Sequence, residues 1–231
     1  MPSIDHTERH FLASETVRDV VIGMADGLTV PFALAAGLSG AVASGHVIVT
    51  AGMAEIAAGA IAMGLGGFLA ARSDRQHYQS EYRRELRETE EMPEEERREV
   101  AAIFREQGLE ESQIQTVVGA ITRDRTRWVN FMMRFELGLV EPEAGRAPVS
   151  ALTIGASYAV GGLIPLLPYM LLANLSAALR LSIALTLVTL FVFGLVKGTL
   201  TGARPLVGGL QTMATGGLAA AAAFLLALAI A

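Results

Sequence analysis

The sequence of 231 residues contains no cysteine and only one lysine, against seventeen arginines. Without cysteine, a disulfide scaffold, a thiolate zinc site, an iron–sulfur cluster and a cysteine nucleophile are all excluded. Charged residues are also scarce, at 18% of the chain against a usual ~25%. Because the net charge is −5 and no domain is basic, we expect no nucleic-acid partner. The arginine bias predicts a GC-rich bacterial genome.

Apolar residues are abundant, at 52% of the chain. They form five long runs near residues 20–44, 47–71, 149–173, 176–198 and 205–231. Each run exceeds the ~20 residues that a helix needs to cross the hydrocarbon core of a bilayer. A soluble domain of this size could not cover five such helices. The sequence therefore predicts an all-α membrane protein with five transmembrane spans.

Most of the charge lies between the second and third predicted spans. Residues 72–147 hold 30 of the 41 charged side chains, so this insert has the character of a water-soluble domain. The predicted organisation has four parts: an N-terminal cytoplasmic or interfacial segment at 1–19, the first two spans at 20–72, a helical domain with its linker at 73–147, and the last three spans at 148–231.

The insert shows no strand-like alternation and is predicted to be helical. A charged helix over 73–91 continues the second span, and Pro93 suits the first position of a new helix. That helix stops at Gly108, because glycine commonly follows a helix C-terminus. A third helical stretch covers about 110–139, and we expect a break near Gly119.

Arginines and lysine are distributed unevenly among the connections between spans. The N-terminal segment carries two arginines, the insert carries thirteen, and the last connection has Lys197 and Arg204. The first connection has none and the third has only Arg180. Because cytoplasmic loops are enriched in basic residues, we expect the N-terminus and 72–147 in the cytoplasm and the C-terminus on the opposite side. No cleavable signal peptide is predicted, since 1–19 is polar.

Two carboxylates fall inside predicted spans. Asp26 lies in the first span and Glu55 in the second. A carboxylate at the bilayer centre costs ~2.5–3.5 kcal/mol on insertion scales and usually marks an ion or proton path. For Asp26 the alternative is an interfacial position near the cytoplasmic end. Glu55, Gly59 and Met63 share one helix face, although a methionine within a span is also explained by packing alone.

Acidic residues in the insert recur at a spacing suited to a cation. A pair of carboxylates three residues apart on a helix can close on one ion, and thioether sulfur adds softness to such a site. The candidate residues are the pairs Glu85–Glu88 and Glu96–Glu99, with Met132, Met133 and Glu136 on the third helix. The spacing is equally explained by a solvent-exposed helix face that binds no metal, on which glutamates such as Glu94 and Glu95 pair with neighbouring arginines.

Three motifs that would indicate an enzyme or an ATP-driven pump are incomplete or absent. Residues 37–40 fit the G-x-S-G of intramembrane serine proteases, but no histidine lies in the last three spans to act as a base. No glutamate is followed by histidine in the Glu-x-x-His spacing of di-iron oxidases. No P-loop is present for an ATP-driven pump. We therefore expect a protein that is not an enzyme.

Four segments resemble the vacuolar iron transporter family. They read RDVVIGMADGL at 18–28, AEIAAGAIAM at 54–63, EMPEEE at 91–96 and GGLIPLLPY at 161–169. Together with five spans and an insert after the second, these segments make the resemblance specific, and it extends over nearly the whole chain. Ala62 departs from the pattern, since relatives commonly have serine there.

The resemblance implies a homodimer in a lipid bilayer that moves Fe²⁺, and often Mn²⁺, out of the cytoplasm in exchange for protons. It implies an ion path between the two subunits near the first span, Zn²⁺ or Co²⁺ as further bound ions, and no organic cofactor. Only about nineteen residues precede the first span, so we expect a bacterial member without a ferritin-like domain, in the bacterial inner membrane.

The resemblance also assigns roles to ten residues, all of the expected type. Asp26, Glu55 and Met63 fall on the family's transmembrane metal and proton positions. The positions of its cytoplasmic metal-binding domain are Glu85, Glu88, Glu96, Glu99, Met132, Met133 and Glu136.

Two other functions remain open at this point. One is a membrane-anchored metal sensor or store that does not transport, for which the intramembrane carboxylates would have no use. The other is a membrane ferroxidase, against which the missing Glu-x-x-His counts.

Overall fold

The computed structural model describes residues 15–42 and 44–230, which form eight helices and no strand. The helices are α1 (Glu15–Ala41), α2 (Gly45–Glu91), α3 (Pro93–Glu106), α4 (Glu111–Ile121), α5 (Arg125–Phe135), α6 (Arg146–Leu171), α7 (Leu175–Leu200) and α8 (Pro205–Ile230). The predicted all-helical fold is confirmed for the described residues. Of the predicted N-terminal segment at 1–19, residues 1–14 lie outside the described residues.

Five of these helices are long and apolar enough to cross a membrane, namely α1, α2, α6, α7 and α8. They match the five predicted spans. Two helices extend into polar sequence beyond the apolar runs. α1 begins at Glu15, whose negative charge in the first turn favours a helix N-terminus. α2 continues without interruption to Glu91, as the sequence predicts.

The chain divides into two compact units. The apolar unit comprises the chain up to Phe68 together with Ala147–Ala231, and the charged unit is Leu69–Arg146. Within the apolar unit, α2 and α6 touch through small residues. A Cβ added to Gly64 would lie 2.8 Å from the Ala151 carbonyl oxygen. Such backbone contact is how membrane helices pack closely without large side chains.

The charged unit contains α3, α4, α5 and the polar half of α2. Its apolar core is formed by Val100, Ala101, Ile114, Val118, Trp128 and Met132. α3 begins at Pro93, and three glutamates fill its first turn, where negative charge is favourable. Gly108 follows α3 with a φ of +84°, a conformation that glycine adopts without strain. Both boundaries agree with the prediction.

The predicted break in the third helical stretch is present, but it lies at 122–124, a few residues after Gly119. α4 continues through Gly119 to Ile121, and α5 begins at Arg125. The reason is an N-cap: the side chain of Asp124 accepts a hydrogen bond of 2.7 Å from the backbone N–H of Arg127. An aspartate cap stabilises a helix start by about 1 kcal/mol, which places the boundary at Asp124. The linker into the third span, predicted at 141–148, lies at 136–145, because α5 ends at Phe135 and α6 already begins at Arg146.

Candidate metal sites

One candidate site lies in the apolar unit and joins three helices. The hydroxyl of Tyr158 on α6 donates a hydrogen bond to Oε1 of Glu55 on α2. The second oxygen of Glu55, Oε2, is buried and has no hydrogen-bond partner among the described residues. Asp26 on α1 lies near enough to Tyr158 to interact with it electrostatically. We call these three residues the Tyr158 cluster.

Two glycines make room for Tyr158, which is only 2% exposed. A Cβ added to Gly59 on α2 would lie 2.5 Å from the tyrosine ring. On the other side, Gly27 of α1 contacts the backbone of Tyr158. Sequence spacing placed Gly59 on the face of Glu55 without giving it a partner. The structure shows that its missing side chain is the space that the tyrosine ring fills.

Sequence reasoning missed Tyr158. One signal was available: a tyrosine in the middle of an apolar span must find a partner for its hydroxyl when it is buried. A carboxylate in a neighbouring span is the strongest acceptor that such a bundle offers. The sequence does not say that Tyr158 meets Glu55, because the two are separated by 103 residues.

Met63 and Asp26 occupy different surroundings from Glu55. Met63 is half-buried on α2, eight residues after Glu55, which is about 12 Å along the helix axis. At that separation the two side chains cannot bind the same ion, and they occupy successive positions along one helix face. Asp26 is exposed in the single chain and lies in register with Ile22 and Val30 on α1.

A second candidate site lies in the charged unit. Glu85 and Glu88 of α2 and Glu96 of α3 each offer one carboxylate oxygen, and these three oxygens lie within 4.8 Å of one another. We call these three residues the acidic cluster. Glu85 is 2% exposed and Glu96 is 4% exposed. Within the described part of the chain, Oε2 of each has no hydrogen-bond partner.

Burial and crowding change the protonation of these carboxyls. Burial raises the pKa of Glu96 to about 8, and repulsion from Glu99 adds to the effect. Burial also raises the pKa of Glu85, with repulsion from Glu88 next in size. For Glu136, which is exposed as a residue, partial desolvation of the carboxyl and repulsion from Glu99 raise the pKa to about 7. Glu99 and Glu136 therefore belong to the same electrostatic neighbourhood as the acidic cluster.

The two methionines of α5 are buried. Met132 is fully buried and Met133 is 1% exposed. Met132 belongs to the apolar core of the charged unit, so packing alone accounts for its burial. The chemical character of the site comes from the carboxylates, and several carboxylate oxygens around one point suit a hard or borderline divalent cation.

Comparison with known proteins identifies the family. The sequence model of the VIT family matches residues 17–228. The chain belongs to the VIT family. It is 53% identical over 222 residues to "Vacuolar iron transporter 1" of Arabidopsis thaliana, a match that covers 96% of this chain and 89% of the relative. It is 38% identical over 216 residues to "Protein CCC1" of Saccharomyces cerevisiae, covering 90% of this chain and 67% of that protein.

A third VIT relative, "Vacuolar iron transporter 1" of Oryza sativa subsp. japonica, is 52% identical over 225 residues, covering 97% of this chain and 89% of the relative. The family match spans all five apolar helices and the whole charged unit. VIT membership and these helices together support an integral membrane protein. The relatives named here are plant and fungal proteins, so they lend no support to the expected bacterial origin.

Proposed function

We propose that this VIT-family protein exports Fe²⁺ from the cytoplasm in exchange for protons, with Mn²⁺ as a second substrate. The observation that carries the proposal is the Tyr158 cluster, in which the hydroxyl of Tyr158 binds the intramembrane carboxylate of Glu55 and lies within electrostatic range of Asp26 on another apolar helix. A membrane anchor has no use for such an arrangement, since each carboxylate inside a bilayer costs free energy. The names of the Arabidopsis and rice relatives agree with iron as the cargo.

The geometry of Glu55 suits exchange of a proton for a metal ion. Tyr158 fixes Oε1, and Oε2 remains available for a proton or a metal ion. An ionised carboxylate is costly in apolar surroundings, and an adjacent cation offsets that cost. We propose that Glu55 releases its proton when metal binds and takes up a proton when metal leaves. Asp26 and Met63 would bind the ion in transit.

The position of Asp26 supports a homodimer. In the single chain Asp26 is exposed on α1 between Ile22 and Val30, which are 39% and 43% exposed. This face would set a carboxylate against lipid if the chain worked alone. A second copy packed on the same face would remove the carboxylate from lipid and add a second Asp26 to the path. We therefore propose that the ion path lies between two subunits near α1.

We propose that the charged unit collects metal on the cytoplasmic side, where the arginine-rich connections place it, with the C-terminus opposite. On the arginine bias of the sequence alone, the membrane would be the inner membrane of a bacterium. The ligands would be Glu85, Glu88, Glu96, Glu99, Met132, Met133 and Glu136. Fe²⁺ and Mn²⁺ would bind there, as would Zn²⁺ or Co²⁺, and no organic cofactor takes part.

Uptake by proteoliposomes tests this function. We expect Fe²⁺ and Mn²⁺ to enter vesicles that contain the protein, and to enter faster when the interior is acidic, because protons leave as metal enters. Binding of metal to the protein without uptake by the vesicles would favour the sensor or store. Oxidation of Fe²⁺ without uptake would favour the ferroxidase.

Replacement of Glu55 tests the coupling. Glu55→Gln keeps the size of the side chain and cannot titrate, so metal-driven proton movement should fall more than metal binding by the charged unit. A pH dye inside the vesicles and a metal dye in parallel report both quantities. The matched control is Asp74→Asn, an exposed carboxylate of the charged unit on the same helix. If Glu55→Gln moves metal and protons at the parental ratio, coupling belongs to another residue, and Asp26 is the next to test.

A further inference from the structure

The acidic cluster has a cation beside it that belongs to the protein. Arg84 immediately precedes Glu85 on α2, and its guanidinium lies 3.6 Å from Oε1 of Glu85 and 3.4 Å from Oε2 of Glu88. Two of the three carboxylates that face one another are thus within ion-pair distance of the same arginine. A guanidinium stays charged at every physiological pH. Arg84 therefore supplies a positive charge where an incoming metal ion would place its own.

The shortest contact of Arg84 is with a different glutamate. Its NH1 nitrogen lies 2.8 Å from Oε2 of Glu81, which precedes Glu85 by one helical turn and is outside the acidic cluster. The Arg84 side chain is 44% exposed, although its Nε atom is buried, so the outer part of the guanidinium has room to move. It can leave Glu85 and Glu88 by a change of side-chain rotamer while keeping its contact with Glu81. The arrangement thus has two positions for one cation, and only one of them blocks the carboxylates.

We propose that Arg84 is the resting counter-ion of the acidic cluster and that a divalent ion loads the cluster by displacing this guanidinium toward Glu81. The proposal rests on the role of the cluster in metal capture. Arg84 then sets the free-metal concentration at which the cluster fills, since each ion must compete with a tethered cation. It also stabilises the empty cluster, because the buried Glu85 keeps a neighbouring positive charge when no metal is present.

A purely structural role for Arg84 makes different predictions. Pairs three or four residues apart on a helix surface contribute a few tenths of a kcal/mol to helix stability. An arginine that did no more than this would leave metal affinity unchanged when it is removed, and its loss would lower stability with and without metal alike. Competition predicts a gain in affinity and a loss of stability confined to the metal-free protein.

The first test is Arg84→Gln in the full chain, purified in detergent, with Mn²⁺ as the probe ion and calorimetry as the measurement. We expect the dissociation constant to fall roughly fivefold to tenfold, in keeping with the modest strength of partly exposed ion pairs. The matched control is Arg87→Gln, which removes the same charge from an exposed position on the same helix. It should leave the dissociation constant within about twofold.

Thermal unfolding of the same variant separates the two roles. The melting temperature of Arg84→Gln should fall in the absence of metal and return to the parental value at saturating Mn²⁺. A dissociation constant for Arg84→Gln that equals or exceeds the parental value would overturn the proposal. A melting temperature that stays lowered by the same amount at saturating Mn²⁺ would also overturn it.

Glu81 provides a second test that keeps Arg84 in place. Glu81→Gln removes the position to which the guanidinium withdraws, so Mn²⁺ should bind about threefold more weakly. When Glu81→Gln is combined with Arg84→Gln, it should not change Mn²⁺ affinity further, because the guanidinium that Glu81 would hold is absent. An equal loss in both backgrounds would mean that Glu81 acts only through its charge, and the role of Arg84 would fall. If the parent protein binds no Mn²⁺, the acidic cluster does not capture metal, and the proposed role of Arg84 fails together with that proposal.

Discussion

The Tyr158 cluster and the acidic cluster use the same functional group in opposite surroundings. In the apolar unit two carboxylates are set among apolar helices, and the partner of Glu55 is a neutral hydroxyl held between two glycines. In the charged unit three carboxylates lie within 4.8 Å of one another beside an arginine. Within the described residues, the first site is sparse and has no fixed positive charge beside it, whereas the second is crowded and has one.

The difference fits two stages of handling an ion. An ion path must bind the ion strongly enough to admit it and weakly enough to release it. A small number of ligands, one of which exchanges a proton, meets both requirements. A collecting site must concentrate ions from dilute solution, and crowded carboxylates do so once protons and Arg84 have been displaced.

The largest effect is expected from Asp26→Ala. Removing this carboxylate should lower metal transport in proteoliposomes to the level of protein-free vesicles, because α1 then has no charged side chain beyond Asp19. The protein should remain folded, since loss of a carboxylate from an apolar span relieves an insertion cost. Size-exclusion profiles check folding, and Asp74→Ala serves as the control. Parental transport by Asp26→Ala would remove Asp26 from the path.

The acidic cluster should show the next largest effect. Joint replacement by alanine should remove most Mn²⁺ binding by the full chain, measured by calorimetry, while leaving the Tyr158 cluster intact. The four residues to replace are Glu85, Glu88, Glu96 and Glu99. A control of equal charge replaces four exposed glutamates of the same two helices, namely Glu91, Glu94, Glu95 and Glu106. Equal Mn²⁺ binding by the two quadruple variants would mean that these glutamates form a solvent-exposed helix face and no metal site.

A smaller effect is expected from Tyr158→Phe, which removes one hydroxyl and keeps the ring. Loss of a residue that orients a ligand typically costs tenfold to a hundredfold, and we expect roughly a tenfold loss of transport rate. Tyr169→Phe is the matched control, because this tyrosine on the same helix is also buried and its hydroxyl lies 2.9 Å from Oγ of Ser39 instead. Similar losses in both variants would point to packing of α6 rather than to Glu55.

The smallest effect concerns stability and pH. The pKa of Glu96 is raised from 4.5 to about 8 in the folded protein, so between these values the folded state binds more protons than the unfolded state. Stability contributed by this group is therefore present at low pH and is lost as pH rises toward 8. Glu96→Gln should raise the melting temperature of the metal-free protein at pH 8.5 by a few degrees, at about 2–4 °C per kcal/mol.

The same variant should change the melting temperature less at pH 5.5, where the native carboxyl is already protonated. Glu95→Gln on the exposed side of α3 is the control and should show no such dependence. An equal shift at both pH values would mean that Glu96 acts through packing instead of through its charge.

Local signals predicted most helix boundaries correctly. Pro93 starts α3 because its fixed φ suits a first turn, and Gly108 follows that helix because glycine adopts positive φ without strain. The break in the third helical stretch lies a few residues after Gly119, since an isolated glycine is tolerated within a helix at a cost of about 1 kcal/mol. The cap at Asp124 outweighed it, and the boundary moved there.

The five apolar helices and the concentration of charge in 72–147 could be predicted without a structure, because hydropathy and charge are properties of short segments. Their prediction needed no knowledge of how the helices pack. The pairing of Glu85 with Glu88 likewise follows from helical spacing alone. The proximity of Glu96 to that pair and the hydrogen bond between Tyr158 and Glu55 are seen only in the folded protein. These contacts depend on how separate helices pack, and a carboxylate acquires its burial, its partners and its protonation from that packing.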